Sequence, residues 1–163
     1  MRNYIVGGLV GGLGVPVLFS LSLLLGWVPL NADTSPHPLE VNVARWVKEA
    51  SLGRATRGLK PPFGEEVDPA DVQDGQTLYG RNCKGCHGAF FGEPAERHVR
   101  FFPPVPLFGR TPPGGNMETR FWVIKHGLRF SAMPAFGGVL SDIDIWRIAL
   151  FLSHFRGESP AME

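Results

Sequence analysis

The longest apolar stretch of the chain lies at its N-terminus. Residues 4–32 contain no charged side chain, and the run "IVGGLVGGLGVPVLFSLSLLLGWVPL" is longer than the roughly 20 residues that a helix needs to cross a hydrocarbon core. The pattern predicts a transmembrane helix. A cleaved signal peptide, with Arg2 at its basic start and Ala32 at its cleavage site, is the alternative. The length of the run and Leu30, a poor residue for the small-residue position, favour a retained anchor.

The next part of the chain, residues 33–67, has the pattern of a connector with one short amphipathic helix. The piece "LEVNVARWVKEASL" repeats apolar residues at helical spacing, whereas "RGLKPPFGEEVDP" is polar and broken by prolines. Such a helix would lie on the membrane surface, on a partner subunit, or on the domain that follows. Its apolar positions are Val43, Trp46, Val47 and Ala50.

The remaining sequence predicts three helices and no strand. They cover about residues 68–83, 116–127 and 141–157, and the last carries a clear apolar stripe. Between the first two lies a proline-rich stretch without periodicity, which predicts a long loop wrapped around something. We therefore expect an all-α domain. The capping residues are Asp68, Asn116 and Ser141, and the closing glycines are Gly127 and Gly157.

Composition and charge argue against nucleic-acid binding and indicate which kind of protein partner to expect. The chain has 163 residues, of which 19% are charged, and its formal net charge is +1, so we expect no nucleic-acid partner. The total conceals an asymmetry along the chain. Residues 75–140 carry eight Lys or Arg against three Asp or Glu, whereas residues 33–74 carry five against eight. A basic rim of this kind would steer docking to an acidic redox partner.

The motif "CKGCH" holds both cysteines of the chain, Cys83 and Cys86, followed by His87. A structural zinc site would need a second pair of ligands, which the sequence lacks, and a thioredoxin-like dithiol belongs to a βαβ fold. Covalent haem attachment explains each residue, because two thiols one helical turn apart can reach the two vinyl groups and the histidine can then bind the iron.

A second axial ligand would come from methionine, from another histidine, or from no residue. Met1 and Met162 are terminal, which leaves Met117 and Met133. Met133 stands in "RFSAMPAFGG", where Pro134 stiffens the chain and small apolar neighbours suit a thioether presented by a loop. From the residues alone, Met133 is either this ligand or part of the core.

Four elements together resemble the class I c-type cytochromes, the small all-helical haem proteins. They are "CKGCH", "PVPLFGR", "SAMPAF" and the closing helix "SDIDIWRIALFLSHF", in that order over residues 68–157. The resemblance implies a class I cytochrome c fold around one covalent haem c. It implies Cys83 and Cys86 as thioether anchors, and His87 and Met133 as the axial ligands of the iron.

The resemblance also implies a set of supporting residues. The carbonyl of Pro106 would accept the free N–H of the proximal imidazole, and Arg110 and Trp122 would bind the haem propionates. Gly75 and Tyr79 on the first helix would cross Ile148 and Phe151 on the last. The aromatic stretch 89–104 is longer than a minimal haem loop, and it would shield the haem edge or meet a partner protein.

These observations predict a transmembrane anchor (residues 1–32), a connector (33–67), a haem domain (68–157) and a C-terminal tail (158–163). The expected function is an electron-transfer subunit of a respiratory or photosynthetic membrane complex, with redox proteins and other subunits as partners, rather than an enzyme in itself. The alternatives are a membrane-tethered shuttle and a haem-based gas sensor. Because haem c is attached outside the cytoplasm, the resemblance implies a single-pass protein of the inner membrane with its haem domain on the periplasmic side.

Overall fold

A computed structural model describes residues 14–28, 31–89, 101–109, 111 and 113–154. The chain divides into two compact units, Met1–Ser35 and Pro36–Glu163. The described residues form helices and loops without any strand, so the prediction of an all-α protein is confirmed. The predicted boundaries at residues 32, 67 and 157 stay predictions.

The first unit contains one described helix, α1, over residues 14–24. Its apolar side chains are largely exposed, among them Leu18, Phe19 and Leu24, and Trp27 beyond its end is exposed as well. Across the described part of the chain, no helix has the length and apolar character that crossing a bilayer requires. Residues 1–13 and 29–30, nearly half of the predicted anchor, lie outside the described residues, and the anchor stays a prediction.

Helix α2, Pro38–Ala55, forms where the sequence predicts an amphipathic helix, and it is longer at both ends than the predicted piece. Pro38 suits the first turn because its missing N–H would have no partner there. The side chain of His37 caps this end by accepting a hydrogen bond from the amide of Leu39 at 3.2 Å. No residue of α2 is buried.

Helix α3, Pro69–Asn82, begins at the predicted cap, because the carboxylate of Asp68 accepts from the amide of Ala70 at 2.8 Å. Cys83 ends α3 and is followed at once by the single turn α4, Lys84–His87. Gly88 closes that turn with a φ of 78°, a conformation that glycine adopts without strain.

Helices α5, Met117–His126, and α6, Asp142–His154, also start at their predicted caps. Asn116 accepts from the amide of Thr119 at 2.9 Å, and the hydroxyl of Ser141 accepts from the amide of Asp144 at 3.3 Å. Gly127 ends α5 with a φ of 70°. The predicted end of the last helix at Gly157 lies outside the described residues.

The core lies where α3 and α5 pack against α6. Gly75 makes the α3 crossing possible, since a Cβ atom built there would lie 2.9 Å from the Cβ of Phe151 and would also collide with the carbonyl of Arg147. Phe121 of α5 stacks on Trp146 of α6 with 4.0 Å between ring centroids. The buried core cluster consists of Tyr79, Cys83, Phe121, Ile124, Ile145, Trp146, Ile148, Ala149 and Leu152.

Candidate functional site

The two cysteines and the adjacent histidine share one turn of helix. The amide of Cys86 donates to the carbonyl of Cys83 at 3.1 Å, and the amide of His87 donates to the same oxygen at 2.9 Å. Cys83 belongs to the buried core cluster, and Cys86 is half-buried. Both thiols are therefore carried by a single rigid turn that is anchored at the end of α3.

The imidazole of His87 is held by a backbone carbonyl. Its Nδ1 atom lies 2.9 Å from the carbonyl oxygen of Pro106, and since a carbonyl can only accept, Nδ1 carries the proton. The other ring nitrogen, Nε2, is then the one with a free lone pair. Burial lowers the pKa of His87, and the hydrogen bond to Pro106 opposes this in part. The ring is neutral and oriented, which is what a metal requires of a histidine.

Two aromatic residues support this histidine. Phe108 stacks on the imidazole with 4.4 Å between centroids and 6° between planes. Tyr79 lies 6.4 Å from Phe108, and its hydroxyl donates to the carbonyl of Gly88 at 2.8 Å, which ties α3 to the end of the cysteine turn. Sequence reasoning missed both roles, although Phe108 stands two residues after Pro106 in the quoted "PVPLFGR".

The cysteine chemistry argues against a reactive dithiol. Desolvation, reinforced by the nearby Cys86, raises the pKa of the Cys83 thiol to about 12. Catalytic and redox-active cysteines need the opposite shift, because the thiolate is the nucleophile. The described residues also contain no cluster of three His, Cys, Asp or Glu side chains that could hold a metal ion by themselves. A zinc site and a thioredoxin-like site both fit this arrangement poorly.

Met133 sits in a short loop whose backbone is fixed by hydrogen bonds. The amide of Leu128 donates to the carbonyl of Met133 at 3.2 Å, and the amide of Met133 donates to the hydroxyl of Ser131, also at 3.2 Å. Gly127 is needed at the base, since a Cβ there would lie 2.7 Å from the carbonyl oxygen of Met133. The half-buried side chain of Met133 packs against the core cluster that contains Cys83.

The same loop holds one strained residue. Phe130 has a φ of 61°, in the left-handed region that costs a bulky side chain about 1–2 kcal/mol, and it is 91% exposed. The hydroxyl of Ser131, the next residue, donates to the carbonyl of Leu128 at 2.8 Å and helps to close this tight turn.

The other predicted site residues are distributed differently. Trp122 is half-buried on α5, and its ring lies 4.8 Å from that of His126. Arg110 lies outside the described residues, so the two propionate assignments stay predictions. Met117, the alternative methionine, packs against the core cluster.

A half-buried arginine, Arg120, was not predicted. Its guanidinium donates to the hydroxyl of Ser153 at 2.6 Å and to the carbonyl of Pro113 at 2.8 Å, while its buried Nε has no partner among the described residues. Desolvation lowers the pKa of this arginine, and no described carboxylate pairs with it. No sequence pattern predicts this position, because an arginine inside a helix usually points to solvent.

The residues present fit a covalently attached haem. The turn provides two thiols for thioethers and an oriented nitrogen donor, and a thioether sulfur from a rigid loop packs on the same core. Neutral imidazole and thioether are the donor pair found in electron-transfer haem sites. Binding of the haem would set the final orientation of the Met133 sulfur and of the His87 Nε2 atom.

Comparisons with known proteins agree with this chemistry. The family model described as "Cytochrome C oxidase, cbb3-type, subunit III" matches residues 70–152, half of the chain. The match spans α3, the cysteine turn, α5 and nearly all of α6. Neither the curated proteins nor the solved structures contain a significant match.

Proposed function

This chain belongs to the family of cytochrome c oxidase, cbb3-type, subunit III, and we propose that it is the haem c subunit of a membrane-bound respiratory or photosynthetic complex. Membership makes it a c-type cytochrome with a covalently bound haem c, whose function is electron transfer rather than catalysis. We further propose the ligands of the haem iron, the membrane complex that contains the chain and the side of the membrane on which the haem domain lies.

Cys83 and Cys86 would hold the haem covalently, and His87 and Met133 would supply the two ligands of its iron. When bound, the haem supplies an iron centre that changes its charge by one electron. The carbonyl of Pro106 keeps the proton on Nδ1 of His87, so that Nε2 keeps the lone pair that a metal ligand needs. Hydrogen bonds fix the backbone of the loop at Met133, so this ligand would need little rearrangement when the iron gains or loses an electron.

The observation that carries the relay function is the fixed position of Met133 against the core cluster. A thioether held there would occupy the coordination position that an enzyme or a gas sensor leaves open. It also favours the ferrous state and raises the reduction potential. An electron relay needs such a closed site, whereas catalysis at the iron needs a vacancy.

The membrane assignment is supported by the N-terminal sequence. Residues 4–32 are free of charge, and the described side chains from Val15 to Val28 are largely apolar and exposed, so they need an apolar environment. Arg2 before this segment and Asp33 after it agree with a single pass that leaves the haem domain on the periplasmic side. The basic region 75–140 supports an acidic redox partner.

Native purification in a mild detergent tests the proposal. We expect the chain to co-purify with other membrane subunits, and its haem to be reduced and reoxidised within that complex without binding carbon monoxide. A Met133→Ala variant is the control, because opening the site should allow the reduced protein to bind carbon monoxide. Isolation as a free monomer would exclude the subunit role, and ready carbon monoxide binding by the unaltered protein would favour a gas sensor.

A further inference from the structure

Helix α2 presents an apolar face that the second unit leaves uncovered. Leu39, Val43, Trp46 and Val47 are spaced so that they fall on one side of the helix, at 100° per residue. Trp46 is 70% exposed and Leu39 is 66% exposed. Large apolar side chains that are grouped on one face of a helix and exposed usually mark a site of interaction.

The opposite side of α2 faces the protein. Leu52 is the half-buried residue of this helix, and it lies about half a turn away from the apolar face, by the angular spacing of an α-helix. Among helices α2–α6, α2 contacts only α5. Since the contact with the protein is small and uses another side, the apolar face is available to a second surface.

Charge indicates which surface this is. Residues 36–60 contain five Lys or Arg and two Asp or Glu, whereas residues 61–74 contain five Asp or Glu and no Lys or Arg. The cations are thus concentrated around α2 and its C-terminal extension, and the anions follow beyond. A surface that attracts this segment should be anionic, as bilayers rich in phosphatidylglycerol are.

Connectivity brings α2 close to a bilayer. Only the nine residues 29–37 separate Val28, at the end of the exposed apolar segment, from Pro38 at the start of α2. Even fully extended, nine residues reach only about 30 Å. If the N-terminal segment is anchored as proposed above, α2 starts within that distance of the membrane surface.

We infer that α2 is an interfacial helix, lying in the headgroup region of an anionic bilayer with Leu39, Val43, Trp46 and Val47 directed towards the acyl chains. Trp46 has the amphipathic ring that favours this depth, and Arg54 is long enough to keep its charge in the headgroup layer. This inference rests on the proposed membrane anchoring. It adds a second contact with the membrane, which restricts how far the haem domain can move from the bilayer.

Spin labels on the haem-loaded full-length chain test this. Thioether formation consumes Cys83 and Cys86, so a label reacts only with a newly introduced cysteine. Val43→Cys probes the apolar face, Lys48→Cys probes the opposite side of α2 as the matched control, and Leu21→Cys probes the proposed anchor. Each variant is reconstituted into vesicles of three parts phosphatidylethanolamine to one part phosphatidylglycerol, and label collisions with oxygen and with a water-soluble nickel chelate are measured.

The expected result is a ratio of oxygen to nickel collisions that is several-fold higher at residue 43 than at residue 48. It should decrease in vesicles of phosphatidylcholine alone, because the anionic attraction is then lost. Equal collision ratios at residues 43 and 48, with both labels accessible to nickel, would overturn the inference. An immobilised label at residue 43 that is shielded from both reagents would also overturn it, because such shielding indicates a protein partner. A high ratio at residue 21 with a low one at 43 refutes the inference alone, while a low ratio at residue 21 refutes the anchor.

Discussion

Gly75 of α3 and Phe151 of α6 are in direct contact at the helix crossing, where a Cβ on residue 75 would lie 2.9 Å from the Cβ of Phe151. The same Cβ would collide with the backbone of Arg147, which cannot move without shifting α6. The contact brings together the helix that ends in the cysteine turn and the helix with the most buried residues among α2–α6.

The first prediction concerns this contact. Gly75→Ala should lower the free energy of unfolding by about 3 kcal/mol, because an overpacked helix crossing must separate. Gly80→Ala is the matched control on α3, since a Cβ there meets no atom within 4 Å. We expect the control to raise stability by about 0.5–1 kcal/mol through helix propensity. Guanidinium unfolding of the haem-loaded protein measures both, and equal effects would disprove the close crossing.

A second prediction separates ligand from core methionine. Met133→Leu should remove the far-red absorption band expected for methionine ligation of ferric haem, and should lower the reduction potential by on the order of 0.1 V or more. Met117→Leu replaces the other internal methionine and should leave both properties unchanged. If both variants lost the band and had a lower potential, or if only Met117→Leu did, Met133 would not be established as the ligand.

Acid should release the proximal histidine. Burial lowers the pKa of His87 in the folded protein from its ordinary value of 6.5, so the unfolded chain binds a proton more readily than the folded one does. The stabilisation from the neutral imidazole is therefore complete above about pH 6.5, and it is lost as the pH falls through the lower folded pKa. Binding to iron strengthens the same trend. An acid titration monitored at the Soret band should show a transition to high-spin haem. Raising the pH from 6.5 to 8 should cause no such transition.

Phe130 gives a stabilising prediction. Asparagine tolerates the left-handed conformation better than phenylalanine does, and the exposed Phe130 ring contributes little burial. Phe130→Asn should therefore raise the free energy of unfolding by about 1 kcal/mol, and the β-branched Phe130→Val should lower it. The pair of thermal unfolding curves decides the matter. Equal free energies of unfolding for Phe130→Val and Phe130→Asn would show that the backbone at this residue is not strained.

Much of the domain could be predicted because its helices are marked locally. Asp68 with Pro69, Asn116, and Ser141 with Asp144 are capping signals that act within a few residues, and all three helices begin there. The close approach at Gly75 was anticipated only through the family resemblance, since a glycine inside a helix has no partner visible in the sequence.

Contacts between residues distant in the chain were not predictable. The ion pair of Arg147 with Asp71 at 2.8 Å and the hydrogen bond of Arg120 with Ser153 depend on how α3 and α5 are placed on α6. The stacking of Phe108 on His87 likewise depends on the return of a loop with no periodicity. Sequence patterns encode which face of a helix is apolar, but they do not encode which polar side chain the partner helix places opposite.

The most direct test is the intact mass of the purified chain, combined with its optical spectrum after alkaline pyridine treatment. We expect the mass of the polypeptide plus one haem, with the spectrum of a haem that has two thioether bonds. Cys83→Ala and Cys86→Ala should each shift that spectrum to the form with one thioether bond, and the double variant should lose covalent haem. A colourless protein with the mass of the unmodified polypeptide, purified from cells that mature other c-type cytochromes, would contradict it.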